Sequence, residues 1–178
     1  MKITKILLLA CTLIFVNHSH AEVVFLADTG FIVKNKIKVT TSKEETWTLF
    51  TSQVDQWWPS DHTWWGEAST LTIDTFAGGC FCEKYENNSA EHMRITFVQP
   101  SKLMRMTGGL GPLQGMGMYG ALEWQFIDNE YGTEVTMTYK VNGINPSGFK
   151  DLAPIVDKVQ ALQISGLAKL IADKKRAD

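Results

Sequence analysis

The strongest constraint on the fold is a change of hydrophobic periodicity along the chain. From Leu71 to Val141, six segments alternate apolar and polar residues, which is typical of strands with one buried face. The stretch 152–171 instead spaces its apolar residues as an amphipathic helix does. Because only this long helix offers a large apolar face, we expect the sheet to curl around it.

The six segments are joined by short connections, which favours antiparallel pairing of neighbours. A seventh alternating segment, Phe31 to Val39, precedes two short helices. Ser42 and Glu45 form a capping box at the start of the first helix, and Pro59 ends the second. We predict an α+β fold with two short N-terminal helices and a curled antiparallel sheet of six to seven strands around a long C-terminal helix.

The long helix is predicted to begin beside Asp151, with Pro154 in its first turn, where proline is tolerated. Its sequence separates into a broad apolar stripe and a set of charged positions that we expect to be exposed. The stripe comprises Leu152, Ile155, Val156, Val159, Leu162, Leu167, Leu170 and Ile171, and the exposed set comprises Asp157, Lys158, Lys169 and Lys174.

The first 21 residues are predicted to be a secretory signal peptide. Lys2 and Lys5 precede an apolar run from Ile6 to Val16, and small residues stand at Ser19 and Ala21. An uncleaved N-terminal anchor and a lipoprotein cleavage site at Cys11 are the alternatives. We therefore expect one domain over residues 22–178, exported to the periplasm or secreted, with no stable membrane anchor after cleavage.

The charge distribution argues against a polyanionic partner. The formal net charge is −2, and the only basic cluster lies at the C-terminus, in "KKRAD". Nucleic-acid-binding domains carry a basic face, so we expect no nucleic-acid partner.

Five motifs along the chain point to one family. They are "T-x-x-E-E-x-W" (41–47), "WW" (57–58), "AGGCFCE" (77–83), "P-x-K-L-x-R-M" (100–106) and "GT-x-V-T-x-T-Y-x-V" (132–141). These motifs resemble the START-like, helix-grip superfamily, also called SRPBCC or polyketide cyclase/lipid-transport proteins, and are most similar to the branch named after the activator of the heat-shock-protein ATPase. The resemblance covers about residues 31–172 and implies a deep hydrophobic cavity between the sheet and the C-terminal helix, which holds lipids, sterols or polyketides in relatives.

Four tryptophans, Trp57, Trp58, Trp64 and Trp65, flank His62. Together they would form too large an apolar patch to be left exposed. Because neighbouring side chains diverge, each pair can send one ring into the cavity and one elsewhere, or all four can belong to the core. His62 follows Asp61 and is either a polar contact or general base for a ligand, or a histidine bonded to nearby backbone.

Cys80 and Cys82 are expected to be two thiols, because alternate residues of a strand lie about 6.5–7 Å apart at Cα, at the limit for a disulfide. A two-residue turn after them would place Glu83 opposite His92, with both cysteines on the face of Met93. A three-residue turn would place Cys82 and His92 on one face. Zinc bound by both cysteines, His92 and His62 would have poor tetrahedral geometry, so we expect no metal and no cofactor.

The segment 108–117, "GGLGPLQGMG", contains five glycines. It lacks the Lys-Ser/Thr of a phosphate-binding loop. It is typical either of a mobile flap that closes Leu110, Leu113, Met116 and Met118 over an apolar ligand, or of an ordinary long hairpin loop.

The function predicted from these observations is that of an exported, monomeric module that binds a hydrophobic or amphipathic small molecule or lipid. Two alternatives are a cyclase-, dehydratase- or hydrolase-type enzyme that uses His62 with Asp61 or Glu83, and a protein-binding, chaperone-associated module. No Ser-His-Asp set is legible, so binding is favoured over catalysis. The predicted ligand-binding residues are Trp57, Trp58, His62, Trp64, Trp65, Cys82, Glu83, Met93, Met106, Leu113, Tyr119, Trp124 and Tyr139.

Overall fold

Eight strands form one antiparallel sheet in the computed structural model, which describes residues 20–177. The strand order in the sheet is β1-β2-β8-β7-β6-β5-β4-β3, so β3 to β8 form a meander and β2 closes on β8. The strands are β1 (His20–Ala27), β2 (Gly30–Val39), β3 (Thr70–Ile73), β4 (Cys80–Tyr85), β5 (Asn88–Gln99), β6 (Leu103–Gly108), β7 (Tyr119–Asn129) and β8 (Gly132–Asn142).

The α+β prediction and its seven strands are confirmed, and β1 is an additional strand that the sequence did not predict. Its apolar residues Val24, Phe25 and Leu26 are consecutive and partly exposed, so no alternation marked them as a strand. β1 forms a hairpin with β2 and lies at the edge of the sheet. The predicted signal peptide lies outside the described residues, apart from His20 and Ala21, and it stays a prediction.

Within residues 20–177, four α-helices accompany the sheet: α1 (Lys43–Ser52), α2 (Val54–Trp57), α3 (Pro112–Gly115) and α4 (Leu152–Ala177). The capping prediction for α1 is confirmed, because the Ser42 hydroxyl accepts a hydrogen bond from the Glu45 amide at 3.2 Å. Two 3₁₀ turns, Ser60–His62 and Gly66–Ala68, follow α2. Across residues 20–177, none of the helices combines the length and the hydropathy that crossing a membrane requires.

The core lies between the inner face of the sheet and the helices α1, α2 and α4. Phe50 is at its centre, with its ring centroid 5.7 Å from that of Trp57 and 4.8 Å from that of Trp124. The Trp57 indole also donates a hydrogen bond to the Phe50 carbonyl at 3.1 Å. A Cβ at Gly166 would lie 2.0 Å from the Trp57 carbonyl oxygen, so α2 can approach α4 this closely only at a glycine.

The apolar stripe predicted for α4 is partly wrong. Ile155 and Leu162 are exposed, whereas Asp157, which was expected in solvent, is only 8% exposed. Asp157 is buried because its carboxylate accepts a hydrogen bond from Asn35 of β2 at 3.1 Å, a partner that helical periodicity cannot reveal. The face of α4 that packs against β2 therefore includes a buried polar residue.

Candidate functional site

A pocket of about 410 Å³ lies between α4, the loop after α2 and the segment that contains α3. One face of α4 forms one wall, and His92 of β5 and Tyr139 of β8 border the pocket from the sheet. Most of the lining side chains are apolar. The lining residues are Trp58, Asp61, His62, Thr63, Trp64, His92, Leu110, Gly111, Pro112, Leu113, Met116, Tyr139, Leu152, Ile155, Val156, Val159, Gln160 and Gln163.

In each tryptophan pair one ring borders the pocket and the other does not, because neighbouring side chains diverge. Trp58 and Trp64 border the pocket, while Trp57 belongs to the core and Trp65 is half-buried outside the pocket. The Trp58 indole donates a hydrogen bond to the His62 carbonyl at 3.2 Å, which fixes the loop between the pairs. Trp64 is 50% exposed and stands at the pocket mouth.

Glu83 organises the second half of this loop. Its carboxylate accepts hydrogen bonds from the Trp64 amide, 3.0 Å from each oxygen, and from the Trp65 amide at 3.1 Å. His92 Nε2 lies 2.8 Å from the other side of the same carboxylate. We call Glu83, His92 and the two amides the Glu83 cluster. It joins β4, β5 and the tryptophan loop, and its carboxylate is fully buried.

His92 reaches Glu83 because the ladder between β4 and β5 is irregular. Cys82 pairs with Glu91 and Phe81 with Met93, so His92 is an extra residue on β5. Such a bulge re-aims a side chain, and here both His92 and Met93 are buried. Neither pairing register considered from the sequence is observed, but the two-residue turn and the approach of Glu83 to His92, which the first alternative predicted, are confirmed. Glu83 pairs with Ala90, and the turn lies between Tyr85 and Asn88.

The surroundings of Glu83 and His92 indicate that Glu83 is ionised and that His92 is neutral. Burial by itself would raise the pKa of Glu83, but the Trp64 and Trp65 amides, the Ser69 side chain and His92 outweigh it and hold that pKa below its ordinary value. Burial lowers the pKa of His92, although Glu83 opposes the shift. An ionised carboxylate only accepts, so the neutral imidazole carries its proton on Nε2 and leaves Nδ1 as an acceptor.

The expectation of two free thiols is wrong. Cys80 and Cys82 form a disulfide, with their Cα atoms 5.4 Å apart. The expectation assumed ideal strand spacing, which does not apply where the ladder is irregular, between Phe81 and Cys82. Phe81, between the two cysteines, and Glu83, after them, are buried on the inner face of β4. Cys82 lies on the other face and does not border the pocket. Within residues 20–177, no group of three or more His, Cys, Asp or Glu side chains could hold a metal ion.

The glycine-rich segment forms the wall opposite the tryptophan loop. It contains the short helix α3, and Leu113 is buried while Met116 is exposed at the mouth. The Tyr139 hydroxyl anchors its start by accepting from the Leu110 amide and donating to the Gly108 carbonyl, both at 2.9 Å. Burial raises the pKa of Tyr139 to about 12, so the hydroxyl keeps its proton. Flap movement of this segment stays a prediction.

Two glutamines of α4 border the pocket with side-chain amide atoms that lack a partner among the described residues. Gln160 is 1% exposed and Gln163 is 3% exposed. Neither the oxygen nor the nitrogen of the Gln160 amide has a hydrogen-bond partner among the described residues, and the same holds for Gln163 Oε1. We call these two residues the α4 amide pair. They lie three positions apart on one helix face and both line the pocket.

The structure brings together only part of the predicted site. Trp58, His62, Trp64, Leu113 and Tyr139 border the pocket, as does Asp61 of the catalytic alternative, and Glu83 lies one contact behind His92. Glu83 contacts His92 and the two amides, which separates it from the proposed pairing with His62. The remaining predicted residues do not line the pocket: Trp57, Met93, Met106 and Trp124 are in the core, and Trp65, Cys82 and the exposed Tyr119 lie elsewhere.

The sequence analysis missed His92 and the α4 amide pair as pocket residues. His92 was considered only for its register and for zinc, and a bulge has no clear sequence signal. The two glutamines did carry a sequence signal. They interrupt the apolar stripe of α4 at an i, i+3 spacing, on a helix face where solvent-facing residues are not expected.

No family model and no curated protein matches the chain. Its fold is similar to that of solved structures, at identities that show the fold alone. CalU16 from Micromonospora echinospora is 10% identical with a TM-score of 0.57, and the match covers 91% of this chain and 90% of that one. SA2116 from Staphylococcus aureus, described as a protein of unknown function, is 14% identical with a TM-score of 0.59, and the match covers 83% and 96%.

Protein MLL2253 from Mesorhizobium loti is 13% identical with a TM-score of 0.57, and the match covers 80% of this chain and 97% of that one. The chain thus has a helix-grip-like α+β fold, an antiparallel sheet with a C-terminal helix.

Proposed function

We propose that this chain is a START-like binding protein that holds a hydrophobic or amphipathic small molecule beside α4. The observation that carries the proposal is the pocket of about 410 Å³, walled by Trp58, Leu113, Val156 and Val159. Pockets for small ligands span about 300–1,000 Å³ and combine apolar walls with a few polar groups. His62, His92 and the α4 amide pair supply such groups here.

The mouth of the pocket supports the same proposal. Trp64, Met116 and Ile155 border the pocket and are between 46% and 57% exposed. Large apolar side chains clustered in solvent usually mark a surface that contacts an apolar partner. A ligand with an apolar portion would cover part of them as it enters.

A fluorescence titration with N-phenyl-1-naphthylamine, an uncharged compound that brightens in apolar surroundings, tests the proposal. Val159→Trp would fill the pocket, whereas Leu162→Trp adds the same ring to the exposed side of the same helix. We expect the wild type and Leu162→Trp to bind alike, and Val159→Trp to bind at least about tenfold more weakly, a loss of about 1.4 kcal/mol. Equal binding by the two variants would contradict the pocket as the site.

Export and the monomeric state are part of the same proposal. Export is supported by the signal-like sequence of residues 1–21, and the monomeric state is proposed together with it. Native mass spectrometry of the chain from an exported fraction measures both, and it also detects a ligand that survives purification. The expected mass is that of one chain lacking residues 1–21. Intact Met1 in that fraction would contradict cleavage.

Acid–base chemistry on the bound molecule is a second candidate function, and the Glu83 cluster is the observation that favours it. Glu83 orients His92, whose Nδ1 remains an acceptor at the pocket wall. His92→Gln would then keep ligand binding but stop conversion of the ligand, which mass spectrometry of the extracted compound would detect. No observation on residues 20–177 favours the chaperone-associated alternative.

A further inference from the structure

We propose that the pocket selects an uncharged ligand that carries both a hydrogen-bond donor and an acceptor, that the α4 amide pair binds this group, and that carboxylates and phosphates are disfavoured. This inference rests on the proposed function and specifies its ligand. It follows from three features of the pocket: unpaired amides, the absence of a cation, and a limited volume.

The first feature is the pair of unpaired amides. A buried polar group without a partner costs free energy, so native proteins pair such groups with protein, water or ligand. Gln160 is almost completely buried, yet within residues 20–177 both polar atoms of its side chain lack a partner, and Gln163 Oε1 lacks one as well. Because both side chains line the pocket, their missing partners belong in the pocket.

The chemistry of these side chains defines the ligand group. A glutamine amide offers one acceptor oxygen and a nitrogen with two N–H donors. Its complement is a group that both donates and accepts, such as a carboxamide, a lactam or a hydroxyl. Residues three apart on a helix point to the same side, so Gln160 and Gln163 can contact one ligand end together.

The second feature is the charge of the lining. Among the residues that the structure describes, no lysine or arginine lines the pocket, and Asp61 lies at the mouth. The ionised Glu83 stands directly behind His92. A desolvated anion needs a cation or several hydrogen-bond donors around it. In this pocket an anion would instead lie near two carboxylates, those of Asp61 and Glu83.

The third feature is size. About 410 Å³ is near the lower end of the range for small-molecule pockets. The pocket suits a compound of one or two rings or a short chain, with its apolar part against Trp58, Val156 and Val159 and its polar group at the α4 amide pair.

Isothermal titration calorimetry with three compounds that share one ring system tests the inference: naphthalene, 2-naphthamide and 2-naphthoate. At about pH 8, above the ordinary pKa of histidine, the carboxylate is the only charged compound. We expect 2-naphthamide to bind the wild type at least about tenfold more tightly than naphthalene and than 2-naphthoate.

Gln160→Leu assigns the preference to a residue. We expect this variant to bind naphthalene as tightly as the wild type, while its preference for 2-naphthamide falls to about twofold or less. The matched control is Gln125→Leu, which changes an exposed glutamine of β7 outside the pocket and should keep the full preference.

The outcomes separate this inference from the proposed function. Naphthalene binding without a preference for the amide, or equal affinity for 2-naphthoate, overturns the inference and leaves a pocket for apolar molecules. An amide preference that survives in Gln160→Leu overturns the assignment to the α4 amide pair. Failure of all three compounds to bind overturns the proposed function together with the inference.

Discussion

The Glu83 cluster and the α4 amide pair are both buried polar groups beside the same pocket, but only the first is paired. Glu83 is fully buried and accepts hydrogen bonds from two backbone amides and from His92. Gln160 is about as buried, and its amide has no partner in the part of the chain that the structure describes. The difference teaches that burial alone does not define the role of a polar side chain; the completeness of its hydrogen bonding does.

The two regions also differ in what they hold together. The Glu83 cluster joins β4, β5 and the tryptophan loop, so the loop depends on the carboxylate for its position. Both residues of the α4 amide pair lie on one helix. Among the described residues, their unpaired atoms make no hydrogen bond to another segment. We therefore expect opposite effects on stability when each region is made apolar.

Glu83→Ala should have the largest effect. It leaves the Trp64 and Trp65 amides and His92 without their shared acceptor, and each buried donor left unpaired costs about 1–3 kcal/mol, so we expect a loss of at least about 3 kcal/mol. Urea unfolding followed by tryptophan fluorescence would measure the loss in the free energy of unfolding.

The matched control for this variant is Glu67→Ala, which changes an exposed glutamate of the same loop and should stay within about 0.5 kcal/mol of the wild type. A similar small effect at both positions would mean that Glu83 does not hold the loop. If Glu83→Ala does not fold, Glu83→Gln keeps the shape and should lose about 1–3 kcal/mol.

Gln160→Leu should act in the other direction. It removes two unpaired buried atoms without breaking a hydrogen bond, so the protein without ligand should gain about 1–3 kcal/mol in unfolding free energy. The same urea titration measures the gain, and Gln125→Leu in solvent should not show it. If Gln160→Leu instead lowers the free energy of unfolding, Gln160 stabilises the fold as Glu83 does, and the two regions do not differ in this respect.

The pH dependence of stability sharpens the description of the cluster. The pKa of His92 is lowered from its ordinary 6.5, so the unfolded chain binds the extra proton first as the pH falls. The contribution of His92 is therefore complete above pH 6.5 and is lost as the pH falls toward the folded-state pKa, with a slope of at most about 1.4 kcal/mol per pH unit. Glu83, whose pKa is also lowered, adds a loss that begins below its ordinary 4.5.

His92→Gln should remove the first of these two losses, because glutamine can still donate to Glu83 but does not titrate. The comparison is made by urea unfolding of both proteins at several pH values between about 5 and 8. Parallel curves for the variant and the wild type would show that His92 does not take up a proton on unfolding in this range.

Several parts of the fold could be predicted from local pattern. Alternation identified seven of the eight strands, and the capping box at Ser42 and the 3.6-residue period of α4 identified helices where they occur. β1 was missed because its apolar residues are consecutive. In the site, divergence of neighbouring side chains accounts for the separation of Trp58 from Trp57 and of Trp64 from Trp65.

Other parts of the site depended on partners far away in sequence. Asp157 is buried because Asn35, 122 residues earlier, donates to it. His92 became a pocket residue through a bulge, and the same irregular ladder accompanies the disulfide between Cys80 and Cys82. None of these features has a local pattern from which it could be predicted.

The sequence by itself determined the order and type of the elements, because periodicity and capping act between residues a few positions apart. Only the tertiary structure decided which polar groups are paired and which face the pocket. Glu83 finds its donors 18, 19 and 9 residues away, on a loop and on a bulged strand. The glutamines of α4 face inward because of the way the whole helix lies on the sheet, and such packing depends on all the surfaces in contact.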